Sequence, residues 1–129
     1  MDKILKVLVV DDSQTNRLLF TEILGQKAKC DEAENGVQAW KLYNKSLNEG
    51  AYDIVLLDIA MPKMDGNRLL KLVRELESFE GVKKGKGLPI LVITAHKEKI
   101  KEAIAAGASD YLFKPVNPDE LWERINNLI

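Results

Sequence analysis

Cysteine is almost missing from this chain. Cys30 is the only one, so no internal disulfide can form; a reducing compartment is implied, and Cys30 itself reads as a small strand filler. Histidine is equally scarce: His96 stands alone, and without a Cys/His cluster the sequence offers no zinc site. No apolar run approaches the roughly 20 residues that a membrane span needs. Neither sign of charge dominates, since 19 basic and 20 acidic residues leave a formal net charge of -1. A nucleic-acid surface would carry a clear basic excess. The opening "MDKILKVLVVDDS" lacks a secretory cleavage pattern and meets an acidic pair early, which reads as mature cytoplasmic sequence. Linkers and low-complexity tracts are also lacking, and 129 residues suffice for one domain, 1–129, with its own core.

What is present is alternation. "ILKVLVV" (4–10), "DIVLL" (53–57) and "PILVIT" (89–94) are short, β-branched and nearly all apolar, as strands covered on both faces of a parallel sheet are. "KAKCDEA" (27–33) and "DYLF" (110–113) are weaker and belong nearer the edges. Between them the apolar period lengthens to that of a helix. Residues 14–27 carry Leu19, Phe20, Ile23 and Leu24 on one stripe behind Ser13 as N-cap. Residues 36–48 carry Val37, Trp40, Tyr43 and Leu47, and 65–79 carry Leu69, Val73 and Leu76. Residues 97–106 place Ile100 and Ile104 one turn apart and stop at Gly107. Residues 118–129 turn Leu121, Trp122, Ile125 and Leu128 inward after Pro118. Strand then helix, about five times over, predicts an α/β fold: a doubly wound, five-stranded parallel sheet with helices on both faces. The Gly/Lys-rich "EGVKKGKGLP" (80–89) follows a helix and opens a strand, the reverse of a nucleotide-binding loop, and reads as a solvated connection.

In such a sheet the working crevice lies beyond the carboxyl ends of the strands. The first strand ends at Asp11 and Asp12, the third at Asp58, the fourth at Thr94 and the fifth at Lys114. An Asp after a strand is commonly a turn residue, and Thr94 or Lys114 alone would mean little. Their joint occurrence at four strand ends is the signal. Three carboxylates brought together repel, and burial makes the repulsion worse. A hard divalent cation such as Mg2+ answers that charge with oxygen ligands and leaves positions free for a phosphate. Lys114 adds a point charge for a phosphoryl oxygen and Thr94 a hydroxyl. Such a set stabilises a phosphoryl group in transit, with one aspartate as nucleophile.

Together "VLVVDDS", "VLLDIAMPKMDG", "ILVITA" and "GASDYLFKPV" resemble the receiver domain of two-component response regulators, chemotaxis-regulator-like, over essentially all of 1–129. The resemblance implies a flavodoxin-like strand order of 2-1-3-4-5. It implies that Asp58 accepts a phosphoryl group from a phosphohistidine on a histidine kinase or histidine phosphotransfer protein. Asp12, Asp58 and the backbone carbonyl of Ala60 would ligate Mg2+, with Asp11 helping through the water shell; Thr94 and Lys114 would hold phosphoryl oxygens. A cis Lys114–Pro115 bond is implied, as is a turn after Asp58 with room for metal and phosphate. Tyr111 would turn inward as Thr94 shifts, changing the surface built by 97–106 and 110–128 for a downstream target. Ala60 and His96, two residues past Asp58 and Thr94, would tune phosphoryl lifetime. Leu18 points almost opposite the apolar stripe of 14–27, beside the crevice, where receivers dock the phosphodonor.

Such a chain is a signalling domain that takes part in its own phosphotransfer and slow autodephosphorylation rather than an enzyme. Two rival readings stay open: a Mg2+-dependent aspartyl-phosphate phosphatase, which would want an acid where Ala60 stands, and a docking module that takes no phosphate. A flavin-binding domain shares only the fold class.

Overall fold

The computed structural model describes residues 3–61 and 65–129. The expected turn after Asp58 includes Pro62, Lys63 and Met64, which lie outside the described residues. Five strands alternate with five helices: β1 (Leu5–Val10), α1 (Gln14–Leu24), β2 (Ala28–Ala33), α2 (Gly36–Glu49), β3 (Ile54–Leu57), α3 (Gly66–Phe79), β4 (Ile90–Thr94), α4 (Ile100–Ala106), β5 (Asp110–Phe113) and α5 (Pro118–Leu128). The strands form one all-parallel sheet in the order β2-β1-β3-β4-β5, the flavodoxin-like arrangement expected. β3 and β4 are buried at every position, whereas the edge strands β2 and β5 are only partly covered. Their more polar composition follows from that exposure.

Successive side chains on a strand point to opposite faces, so the near-continuous apolar runs feed two cores. Val7, Val9, Ile54, Leu56, Leu91 and Ile93 pack with Phe20 and Leu24 of α1 and with Leu121 and Ile125 of α5. Leu8, Val10, Val55, Leu57, Ile90 and Val92 face Ala39 and Tyr43 of α2, Leu70 and Val73 of α3, and Ala103 of α4. Side-chain caps start four of the helices. Ser13, Asn35, Asp65 and Asn117 each accept a backbone N–H of the first turn. Among the described residues no helix is long and apolar enough to cross a membrane.

Three helices depart from expectation. The first stops at Leu24 rather than running to 27: Gly25 turns the backbone to φ 56°, and residues Gly25–Lys27 form a 3-10 turn. The segment 97–106 is a 3-10 turn, Lys97–Lys99, followed by α4, which ends at Gly107 in the left-handed region as expected. The third difference concerns faces. Leu19, Val37, Leu47 and Ile104, expected inside, are 43%, 40%, 50% and 53% exposed. α2 buries Tyr43 as expected but otherwise Gly36, Ala39 and Ser46, and α4 buries Ile100 as expected together with Ala103 and Ala106. Small side chains bring a helix axis close to the sheet, and larger apolar residues on the flanks of that contact are left in solvent.

Gly66, the first residue of α3, fixes how that helix meets β3. A Cβ there would lie 2.6 Å from the Ile59 Cα and 2.8 Å from the Asp58 carbonyl oxygen. These are backbone atoms with no rotamer to retreat into, and the Gly66 N–H also donates to the Ile59 carbonyl at 3.1 Å. Overpacking of this kind costs about 1–3 kcal/mol. Gly66→Ala is therefore expected to lower the unfolding free energy by that amount, read as a lower urea midpoint with an unchanged m-value; an unaltered midpoint would show that the contact is not tight.

Candidate functional site

Each side chain at the crevice leaves a backbone that the sheet still holds. The Asp11 N–H donates to the Ala33 carbonyl at 3.1 Å, extending the β1–β2 ladder by one step. The Asp58 N–H does the same to Val10 at 2.9 Å, and the Lys114 N–H to Thr94 at 3.0 Å. Strands of one sheet thus place three charged groups from distant parts of the chain at one rim. Asp11 and Thr94 are fully buried and Asp58 is 7% exposed, while Asp12 is exposed.

The three carboxylates each bring an oxygen within 4.8 Å of the others. At such separations each pair repels by roughly 3 kcal/mol at an effective dielectric of about 20. Lys114 opposes this directly. Its Nζ donates to Asp11 Oδ2 at 2.8 Å and to Asp58 Oδ2 at 3.0 Å. Backbone donors take the other oxygens: the Ser13 N–H lies 2.9 Å from Asp11 Oδ1, and the Ala60 N–H 3.0 Å from Asp58 Oδ1. Burial pulls the Lys114 ammonium toward neutrality, but the hydrogen bonds and charges of Asp11 and Asp58 outweigh it and hold its pKa above the ordinary lysine value. Among the described residues the ammonium bonds Asp11 and Asp58 and leaves the third acid, Asp12, outside the bridge. The donor set is all hard oxygen, with one exposed member, and fits a small divalent cation that keeps some of its water.

The remaining expected residues lie in contacts of their own. Thr94 Oγ1 accepts the His96 N–H at 3.1 Å. The His96 ring is about half exposed and faces Glu98, Nδ1 to Oε1 3.1 Å. Ala60 is half-buried and meets Asp58 through its N–H. The Lys114–Pro115 peptide is cis. Tyr111 is half-buried on the α2–α3–α4 side of the sheet, its ring centroid 5.4 Å from that of Phe113. Lys97 in turn lies over Phe113, with Nζ 5.2 Å from the ring centroid. Leu18, on α1, is 55% exposed, and Leu19 beside it is also exposed. Gly66 drew no reading of its own within the expected helix 65–79; its place eight residues after Asp58, at the foot of that helix, was the available signal for a backbone contact.

The Lys114 bridge has a definite pH dependence. A raised folded pKa means that its stabilisation is complete below the unfolded lysine value, about 10.4, and is lost as pH rises through the folded value. Lys114→Met leaves a buried acidic pair without its counter-charge and is expected to cost roughly 3 kcal/mol at neutral pH in EDTA. Urea unfolding of both proteins from neutral pH upward should show this gap closing only in the strongly alkaline range. A gap that stays constant there would contradict the bridge.

Comparison with known proteins agrees with this geometry. The family model described as "Response regulator receiver domain" matches residues 7–126. A chemotaxis protein CheY homolog of Campylobacter jejuni is 36% identical over 129 residues, covering 97% of this chain and 92% of that protein. The hybrid signal transduction histidine kinase I of Dictyostelium discoideum is 37% identical over 131 residues; 96% of this chain is covered, and it spans 7% of that protein's length. Among solved structures, the receiver domain of a sensor histidine kinase from Pseudomonas aeruginosa, with a magnesium ion coordinated in its active-site cleft, superposes with a TM-score of 0.77 at 24% identity, covering 96% of each chain. The chain belongs to the response regulator receiver domain family and has that family's phosphoacceptor role in two-component signalling.

Proposed function

We propose that Asp58 is the phosphoacceptor, and that the transferred group comes from a phosphohistidine on a histidine kinase or histidine phosphotransfer partner. The observation that carries this reading is the Lys114 ammonium shared between Asp11 and Asp58 beside a third carboxylate. A carboxylate oxygen of Asp58 attacks phosphorus, the phosphorus–nitrogen bond of the donor breaks, and the electron pair stays on the departing imidazole. Asp11, Asp12 and Asp58, with the Ala60 carbonyl, are the residues that would hold Mg2+, the ion named in the Pseudomonas structure. Bound there, it neutralises charge on the phosphoryl oxygens.

The chain's own groups do the rest. Lys114 already lies 3.0 Å from an Asp58 oxygen, so its ammonium is in place to follow the new charge onto a phosphoryl oxygen. The Thr94 hydroxyl accepts from His96 and keeps its own proton to donate toward that group. In this reading the shift of Thr94 is sensed by Tyr111, next to Phe113, and changes the α4–β5–α5 surface offered to a downstream target. Ala60 and His96 set access of water to the acyl phosphate, and the exposed Leu18 contributes to donor docking. The protein takes part in its own transfer and slow hydrolysis but turns over no external substrate. The missing acid at position 60 disfavours the phosphatase reading.

Mass spectrometry after incubation with acetyl phosphate and Mg2+ should find one added phosphoryl group on wild type and none on Asp58→Asn or in EDTA. Equal modification of Asp58→Asn would overturn the assignment. Leu18→Asp should leave acetyl-phosphate modification intact while slowing transfer from the cognate phosphohistidine donor. Unaltered transfer from that donor would remove Leu18 from the contact.

A further inference from the structure

Asp12 is placed differently from its two neighbours. Asp11 and Asp58 are buried and each carboxylate accepts both a backbone N–H and the Lys114 ammonium, whereas Asp12 is exposed. Its carboxylate nonetheless lies in the same 4.8 Å group, and the course of its main chain bears on that placement. That main chain is held from a side chain no motif pointed to. Arg17 Nη1, one turn into α1, donates to the Asp11 carbonyl oxygen at 2.6 Å. The same guanidinium sends Nε to Glu32 Oε1 on β2 at 3.0 Å. The bond to Asp11 is partly buried and the bond to Glu32 is exposed, so the contact with Asp11 is the sheltered one.

The peptide group is planar, and the Asp11 carbonyl, the Asp12 N–H and the Asp12 Cα share one plane. Fixing the Asp11 oxygen therefore fixes the plane from which the Asp12 side chain departs. The other end of the Asp11 residue is already fixed, its N–H on Ala33 and its Oδ1 on the Ser13 N–H. Arg17 supplies the remaining constraint. A charge-assisted bond from a guanidinium whose second donor is tied to another element holds a direction as well as a distance.

We propose that Arg17 is a positioning residue for the cation: it orients the Asp11–Asp12 peptide so that the Asp12 carboxylate stays in range of the ion that Asp58 contacts. This rests on the reading that the three aspartates hold Mg2+. Groups that orient metal ligands are worth about 10- to 100-fold in metal affinity.

The test titrates MgCl2 into unphosphorylated wild type, Arg17→Gln, Arg17→Lys and Glu32→Gln, following the Asp12 and Ala60 amide resonances, with thermal unfolding of each protein in EDTA. Arg17→Gln should weaken Mg2+ binding by about 10-fold or more. Arg17→Lys, which keeps a cationic donor for the carbonyl, should recover part of the loss. Glu32→Gln, which leaves the Asp11 contact in place, should bind near wild-type strength. Acetyl-phosphate modification of Arg17→Gln should need more Mg2+ for half-maximal rate yet reach the wild-type maximum. Wild-type affinity in a folded Arg17→Gln, even with a lowered melting temperature, leaves Arg17 a purely structural role and overturns the proposal. So does a loss in Glu32→Gln equal to that in Arg17→Gln, because the strand link and not the carbonyl would then be responsible. A wild type that takes up no Mg2+ would sink the site reading itself, a result distinct from either of these.

Discussion

Two buried carboxylates, Asp11 and Asp58, share one ammonium, that of Lys114. Everything at the crevice follows from the conflict this bridge contains. Carboxylates packed at one rim repel, and a protein with no need of them would replace them with apolar or neutral groups at little cost. This chain keeps them, adds an exposed third acid at Asp12, and among the described residues gives the two buried carboxylates one shared ammonium. The imbalance is tolerable because the sheet beneath is so well covered: β3 and β4 are buried throughout, and their flanking cores draw on all five helices. Stability resides in the layers, and the rim is free to be electrostatically poor in exchange for chemistry.

The ladder carries that arrangement one residue past each strand. Asp11, Asp58 and Lys114 are no longer strand residues, yet each N–H still pairs with the adjoining strand or its last residue. Their Cα atoms are therefore as fixed as the sheet, and only the side chains and the following loops adjust. From Thr94 the chain turns through His96 and the Lys97–Lys99 turn into α4, and Lys97 reaches back over Phe113, the neighbour of Tyr111. A group bound at Asp58 is thus a few contacts from the α4–β5 face. That short path is the physical ground for reading the domain as a switch.

Much of this was legible in the sequence. Apolar runs too short for helices gave the central strands, the polar runs gave the edges, and residues at four run ends gave the charged cluster. Such signals are local and strong. The faces of α2 and α4 were less legible, because large apolar residues dominate any count of periodicity while Gly36, Ala39, Ser46 and Ala103 share the contact with Tyr43 and Ile100. Leu19, Val37, Leu47 and Ile104 were placed inside for that reason and lie outside. Gly66 and Arg17 escaped notice for a related cause. Each acts on backbone atoms, one by leaving space and the other by donating a bond, and neither effect has a compositional signature.

The central claim is that the acids at this rim act together on one divalent ion. Mn2+ can stand in for Mg2+ and broadens the resonances of nearby amides. In a titration of the metal-free protein, the account predicts that broadening begins at Asp12, Asp58 and Ala60 and reverses when Mg2+ is added in excess. Broadening centred away from these residues, or left unchanged by Mg2+, would contradict it.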